Sequence, residues 1–360
     1  MVDHSSPPRP PLSTASLIAR LAGIGAAVPV VAGTFPYVSG TLDPQRLRPK
    51  TLVNALETNN GVHPGFRRNH AKGVCVAGYF QSSTEARAYS SAQVFSEAKT
   101  PIIGRFALPS GNPYAPDSSV PIRSFAVQFS QANGQQWRTG MNSMPVFPVG
   151  TPEAFYQLLK AGAPDPATGK PNPSSMPAFF AAHPETAPFL AWVKTAKPSA
   201  SYATETYNGI NAFYLVAADG TRQAVRWEVV PQSQDAAGDT APAGSDFLEQ
   251  DLVRRLAAGP LRWQLNMTLA NPGDPLDDAS KTWTGAHKVL NAGTLVLQSS
   301  QPQADGDCRD INFDPLILPS GIQASNDPLL AARSAAYASS YLRRAGEVSP
   351  LHSAPQESKP

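Results

Sequence analysis

The 360-residue sequence has only two cysteines and no long run of lysine or arginine, and each shortage excludes something. Cys75 and Cys308 are too few and too far apart for a disulfide framework or a zinc-binding spacing. One disulfide is possible, but two buried free thiols are the expectation. Basic and acidic residues number 29 and 27, a net charge of +2, which argues against nucleic acid as a partner. Charged residues make up 16% and hydrophobic ones 41%, proportions that belong to a globular rather than a disordered chain. Proline is abundant. Its 37 copies, about twice the usual share, point to many extended connections and few long helices. A chain of this length can bury one large core or two modest ones.

Residues 1–42 differ in character from the rest. A Pro/Ser-rich start leads through Leu17-Ile18-Ala19-Arg20 into the apolar run 21–35. That run is interrupted by Pro29 and reads as too short for a secure membrane span. It resembles a secretory signal, with Val30-Val31-Ala32 as a cleavage context before Gly33. Export to the periplasm is the expectation, with an uncleaved membrane anchor as its variant. A disordered leader or peripheral helix on a cytoplasmic protein is the alternative.

From residue 43 the pattern predicts many short elements. Helices are expected over 49–57, 91–99, 152–161, 176–182, 185–195 and 327–343, and from a Ser245 cap to 257. Strands are expected after His70 through Phe80, and over 102–108, 122–130, 135–140, 213–216, 224–230, 261–269 and 294–297. Asn133-Gly134 marks a hairpin turn. About eight short strands with helices inserted in the middle and at the end suggest an α+β chain built on a closed antiparallel β-barrel. The last fifteen residues read as a loose tail.

Two stretches carry chemistry. In Arg67-Arg68-Asn69-His70-Ala71-Lys72-Gly73 a basic segment delivers one histidine at the entry of an apolar strand. A lone histidine is usually structural. On the last helix Arg333 and Tyr337 share a face one turn apart, surrounded by Ala331, Ala332, Ser334, Ala335, Ala336, Ala338 and Ser339. A face stripped of bulk beside a tyrosine suggests that something large and flat lies on it. Close helix packing explains this segment alone equally well. His4, His63, His183, His287 and His352 match no motif, and the five tryptophans are scattered like packing residues.

Taken together, four blocks resemble the catalase family of haem proteins, specifically its small catalase-related peroxidases. They are Arg67-x-x-His70-Ala71-Lys72-Gly73 with Gly78-Tyr79-Phe80; Arg105-Phe106 with Phe125-Ala126-Val127-x-Phe129; Asn142-x-x-Pro145-Val146-Phe147; and Phe313-Asp314-Pro315 through Arg333-x-x-x-Tyr337. They occur in the family's order over roughly residues 45–344. The resemblance implies a catalase-like eight-stranded antiparallel barrel, with inserted and C-terminal helices around a buried haem b (iron protoporphyrin IX). The haem domain would span 43–346, and 347–360 would be a flexible tail. His70 would move a proton between the peroxide oxygens, a task for a group titrating near neutrality, and Asn142 would polarise the peroxide. Tyr337 would be the axial iron ligand, the role that tyrosine has in catalase, with Arg333 supplying positive charge beside it. Arg67 and Arg105 would pair with haem propionates, and Phe155 would stack near the haem.

Departures from the family pattern direct the functional expectation. Large catalases commonly carry a serine after Arg-Phe that can orient the distal histidine; here it is Ala107. Asn69 stands where many have a valine that narrows the approach to iron. The aromatic pair after Pro-Val is reduced to Phe147-Pro148, and a second histidine expected near 208–215 is replaced by Asn208-Gly209-Ile210-Asn211-Ala212-Phe213. The chain ends soon after the tyrosine helix, and no nicotinamide site is expected. A wider channel favours organic peroxides and a small-molecule reductant, so a peroxidase with weak catalase activity is the expectation. Alternatives are a true catalase, a fatty-acid hydroperoxide rearrangement as in the related allene oxide synthases, and haem binding without turnover. A monomer or homodimer is expected, with possible membrane association through the N-terminal segment.

Overall fold

The computed structural model describes residues 13–38, 47–197, 199–233 and 244–347. The start of the leader, most of the polar loop before Ser245 and the tail 348–360 lie outside the described residues. The chain divides into two compact units, 1–48 and 49–360. In the first, helix α1 (Thr14–Val38) runs through Pro29 without a break. Its stretch Thr14–Thr34 is long and apolar enough to cross a membrane, which corrects the expectation of a run too short to do so. The residues from Thr14 join the apolar run 21–35 in one helix and supply the missing length. Leu17, Ile18, Leu21, Ile24, Val28 and Val30 on it are all exposed.

The second unit opens with α2 (Pro49–Asn60). Its proline sits at the first helical position, where a missing N–H goes unneeded. Gly61, at φ 80°, ends it by donating its N–H to Glu57 O at 2.8 Å. Next come β1 (Gly73–Ser82), β2 (Thr100–Ala107), β3 (Ser124–Ser130) and β4 (Gln136–Asn142). Three helices interrupt the strands: α3 (Pro152–Ala161), α4 (Ser175–Ala182) and α5 (Ala187–Thr195). They are followed by β5 (Tyr207–Asn208), β6 (Phe213–Val216), β7 (Arg222–Pro231), α6 (Phe247–Ala258), β8 (Leu261–Leu269), β9 (Val289–Pro302), β10 (Ile322–Ala324) and α7 (Pro328–Glu347).

All strand pairings are antiparallel, and the extra pairing of β7 with β8 closes the sheet. The ring runs β1-β2-β3-β4-β5-β7-β8-β9 and back to β1, an eight-stranded barrel, with β6 and β10 extending it beyond β7. Strand alternation sorts the side chains. On β8 the buried positions are Leu261, Trp263, Leu265, Met267 and Leu269, every second residue. Phe106 stacks on Phe125 with ring centroids 4.3 Å apart, and Phe129 on Trp137 at 4.5 Å. The barrel interior is therefore a packed aromatic core rather than a pore. The opposite phase of β2, β3 and β4 builds two cross-strand rows, Ala107–Ser124–Asn142 and Arg105–Ala126–Gly140. Small residues dominate these rows, which leaves a flat wall on the barrel's outer face.

Some expectations are corrected. Residues 91–99 hold only a 3₁₀ turn, Gln93–Phe95, because Ala92 is extended and the chain must enter β2 by Thr100. Ser245 does not cap α6; its hydroxyl bonds Asp246, while the buried Asp117 carboxylate accepts from the Leu248 N–H at 2.8 Å. A tertiary carboxylate thus does what a local cap would have done. Helix α7 continues to Glu347, whose carboxylate pairs with Arg68. Cys75 and Cys308 are not free thiols but form a disulfide with their Cα atoms 5.3 Å apart. Cys75 lies on β1 and Cys308 in the loop after β9, a contact that 233 residues of separation conceal in the sequence.

Candidate active site

A cavity of about 460 Å³ lies between the small-residue wall of β2–β4 and the helices α2, α3, α5 and α7. Its apolar lining includes Leu52, Leu56, Ile122, Phe147, Phe189 and Leu329. His70, Asn142, Arg67, Arg105, Phe155, Arg333 and Tyr337, scattered over 270 positions of sequence, all line it.

His70 sits at φ 55°, a left-handed conformation uncommon for a residue with a side chain. Its neighbours hold it there. Asn69 Oδ1 accepts from the His70 N–H at 3.0 Å, and the Ala71 N–H donates to Ser110 O at 2.7 Å. Such conformations gather at sites where side-chain direction matters more than local comfort. The ring is half-buried and presents its accessible part to the cavity, while Nδ1 is enclosed with no hydrogen-bond partner. Burial, then the nearby guanidiniums of Arg105, Arg333 and Arg67, hold its pKa down at about 3. The imidazole is neutral across the physiological range.

Asn142 ends β4, paired with Ser124 on one side and Asn208 on the other. The Ser124 hydroxyl donates to its Oδ1 at 2.6 Å, which leaves the amide N–H groups to serve a ligand. Phe155 comes from α3, whose N-cap Thr151 accepts from the Ala154 N–H at 3.2 Å; its ring lies 5.3 Å from that of Phe147.

Helix α7 lends the cavity Ala332, Arg333, Ala336, Tyr337, Ser340, Tyr341 and Arg344, residues spaced so that one face is presented. Ser334 anchors the helix by donating to Asp314 Oδ2 at 2.6 Å. Arg333 makes a long contact of 3.4 Å to Tyr337 Oη, donates to Gly140 O at 3.3 Å, and also donates to Asn211 Oδ1. Asn211 passes the chain on, its Nδ2 donating to the buried Asp327 carboxylate at 2.8 Å.

The family model described as Catalase matches residues 42–350. The catalase-related peroxidase of Synechococcus elongatus is 39% identical over 301 residues, covering 82% of this chain and 88% of that protein. That of Mycolicibacterium paratuberculosis is 31% identical over 304 residues, covering 83% and 96%.

The chain belongs to the catalase family.

Among solved structures, a bacterial catalase matches with TM-score 0.70 at 21% identity, covering 88% of this chain, and shares its fold. The chain spans 66% of that catalase's length.

Membership of the catalase family implies a haem cofactor, and the residues fit one. Arg67, Arg105 and Arg344 line the cavity, and none of the three is hydrogen-bonded to a carboxylate among the described residues. Burial pushes all three guanidiniums down, and repulsion from Arg105 and Arg344 adds to the effect on Arg67. Arg105 is held at about 10. Arg105 and Arg344 are buried and Arg67 half-buried, and the exposed Asp310 carboxylate is the acidic group that acts on Arg67 and Arg344, so the set has room for a bound anion, a role that haem carboxylates fill. The flat, small-residue wall suits a planar ring.

The sequence assigns no role in the cavity to Arg344, Ser124 or Asn211. Arg344 had a signal, since it lies seven residues after Tyr337, two turns along the same helix face. Ser124 and Asn211 act through tertiary pairings that no local pattern reveals. His63, His183 and His287 do not line the cavity, and His4 and His352 lie outside the described residues.

Proposed function

We propose that the protein is a haem b peroxidase that reduces organic peroxides, and hydrogen peroxide, with an external small-molecule electron donor, and that its catalase activity is weak. As a catalase-family enzyme the chain is an oxidoreductase acting on peroxide. The observation that carries the finer reading is His70. Its imidazole is neutral, and its enclosed Nδ1 lacks a partner in a cavity where Ala107 stands in place of the family's serine hydroxyl. A histidine without that second hydrogen bond is less firmly oriented, which suits a single peroxide reduction better than rapid disproportionation of a small second peroxide. The two relatives described as catalase-related peroxidases support the same reading.

Haem would be held by Arg67, Arg105 and Arg344 at its carboxylates and by Tyr337 as iron ligand, and when bound it supplies two-electron redox chemistry. The remaining work falls to the chain. His70, neutral above about pH 3, takes a proton from the attacking peroxide oxygen and returns it to the departing one, which leaves as alcohol or water. Asn142, with its carbonyl oxygen occupied by Ser124, donates its N–H to the peroxide and orients it. Arg333, steadied by Asn211, keeps positive charge next to the Tyr337 oxygen. In each cycle the donor gives two electrons, and two protons complete the alcohol and water.

A second reading, a true catalase, draws on the presence of His70, Asn142, Arg333 and Tyr337 together, and on a 28% identical relative described as a catalase, from Latilactobacillus sakei. His70→Ala tests whether the chain is an enzyme at all. Retained haem with turnover lost supports peroxide chemistry at His70, whereas unchanged behaviour would reduce the protein to a haem binder. The apolar helix α1 and a disulfide, which persists in oxidising compartments, support export, with α1 as signal or anchor. Recovery of the full-length chain in the soluble cytoplasmic fraction with both thiols reduced would refute this.

A further inference from the structure

The loop 303–312, between β9 and Phe313, has neither helix nor strand, yet three cavity arginines rest on it. Arg67 Nη2 donates to the carbonyls of Cys308 and Arg309 at 3.0 Å and of Ile311 at 2.9 Å. Arg344 Nη1 donates to the Arg309 carbonyl as well, and Arg105 Nη2 donates to Gln303 Oε1. These cations repel one another, since each of Arg105 and Arg344 pushes Arg67 down. Something must keep the loop carbonyls in place against that repulsion.

The loop's internal backbone hydrogen bonds are Ile311 N–H to Cys308 O at 3.3 Å, Asp305 N–H to Pro302 O at 3.4 Å and Arg309 N–H to Gly306 O at 2.9 Å, and Arg309 Nη1 adds one to Ala304 O at 3.2 Å. Its ends are tied by Gln303 Nε2 donating to Ala71 O at 2.9 Å and Arg138 donating to Asn312 O at 2.5 Å, which leaves the middle, around Cys308 and Arg309, with no short tie to the barrel but the bridge. Its covalent tie is the disulfide from Cys308 to Cys75, and Cys75 is the cross-strand partner of Arg105 on β2. Both cysteines are buried. The loop is pressed on the bridge so closely that a methyl group on Gly306 would lie 2.6 Å from Cys75 Sγ.

We infer that the Cys75–Cys308 disulfide is a positioning element for the arginine set: it fixes the carbonyl cage that aims Arg67, with Arg344 beside it, at the carboxylates of the cavity's ligand. The inference rests on the haem reading above. It makes the bridge more than a staple for the fold, because its state sets how tightly haem carboxylates are held.

The test compares haem release to a scavenging apoprotein from the wild-type chain, the paired Cys75→Ala/Cys308→Ala variant, Arg67→Ala, and all three substitutions combined. Amide hydrogen exchange over 303–312 is read on haem-free samples of the same four proteins. Removal of the bridge is expected to raise loop exchange and speed haem release about tenfold, the effect of losing one well-aimed charge-assisted hydrogen-bond set. In the Arg67→Ala background it is expected to add little, because the bridge acts through that side chain. Equal acceleration with and without Arg67, or release indifferent to the bridge, would overturn the inference while leaving the haem reading intact. A wild-type chain that takes up no haem would overturn both. Should the bridge-free variant fail to fold, Gly306→Ala keeps the disulfide but displaces the loop. It too is expected to release haem faster, and wild-type retention with a shifted loop would refute the cage.

Discussion

Acidifying the haem-free protein is the perturbation that reads the environment of His70 most simply. Burial and the guanidiniums of Arg105, Arg333 and Arg67 hold its pKa at about 3, against 6.5 for an ordinary histidine. Between those values the unfolded chain carries a proton at this position that the folded chain does not. Stability is therefore complete above about pH 6.5 and is lost as the pH falls towards 3. Within that window each pH unit is worth about 1.36 kcal/mol for a single proton, so going from pH 7.5 to pH 5 costs about 2 kcal/mol through His70 alone. Other groups titrate over the same range, and the non-titrating His70→Asn variant subtracts them. Asparagine also tolerates the left-handed backbone at this position. Urea unfolding of the two proteins at both pH values is the assay, and the wild type is expected to lose about 2 kcal/mol relative to the variant on acidification. A stability gap that is the same at pH 7.5 and pH 5 would refute the desolvated, cation-flanked environment assigned to this ring.

Three further outcomes are expected. Gly78→Ala places a methyl 1.9 Å from the Val296 carbonyl oxygen, at the point where the register of β1 on β9 shifts, and neither backbone can yield cheaply; urea unfolding is expected to show a loss of about 3 kcal/mol or more, and a wild-type midpoint would contradict the pairing. Asn211→Leu removes the link between Arg333 and the buried Asp327, whose pKa burial already raises; a loss of about 2–4 kcal/mol is expected by the same method, and a neutral effect would show that the link is idle. Ala107→Ser returns a hydroxyl to the wall lining the His70 cavity and is expected to raise oxygen release relative to donor oxidation; an unchanged ratio would count against the unpartnered Nδ1 as the cause of peroxidase preference.

Much of the cavity was legible because its chemistry is written in short blocks. Arg67 to Gly73 and Arg333 to Tyr337 each bring two of the candidate site residues, Arg67 with His70 and Arg333 with Tyr337, into one loop or one helix turn, so their types and spacing survive in the linear sequence. Strands such as Leu261–Leu269 and Phe213–Val216 were equally plain, since their alternation or apolar runs are local. What stayed hidden depends on distant partners. The barrel closes through β7 and β8, but its two-residue strand β5, and the three-residue β10 outside the ring, exist only by virtue of their neighbours. The cap of α6 comes from Asp117, more than a hundred residues away, which no capping rule applied to Ser245 could find. The disulfide joins a strand to a loop across 233 residues, and the two cysteines alone do not announce it. The segment 208–213 stands out in the sequence only for lacking a histidine, yet Asn211 within it links Arg333 to Asp327 through its amide.

The measurement that bears most directly on the peroxidase assignment is made on the haem-loaded protein with two peroxides side by side. Oxygen release from hydrogen peroxide is followed with an oxygen electrode, and oxidation of a reducing dye by an organic hydroperoxide is followed by absorbance. Little oxygen with clear dye oxidation is the expected result, and His70→Ala is expected to abolish the dye oxidation while haem stays bound. Oxygen release far faster than any donor oxidation would contradict the assignment and make the protein a compact catalase.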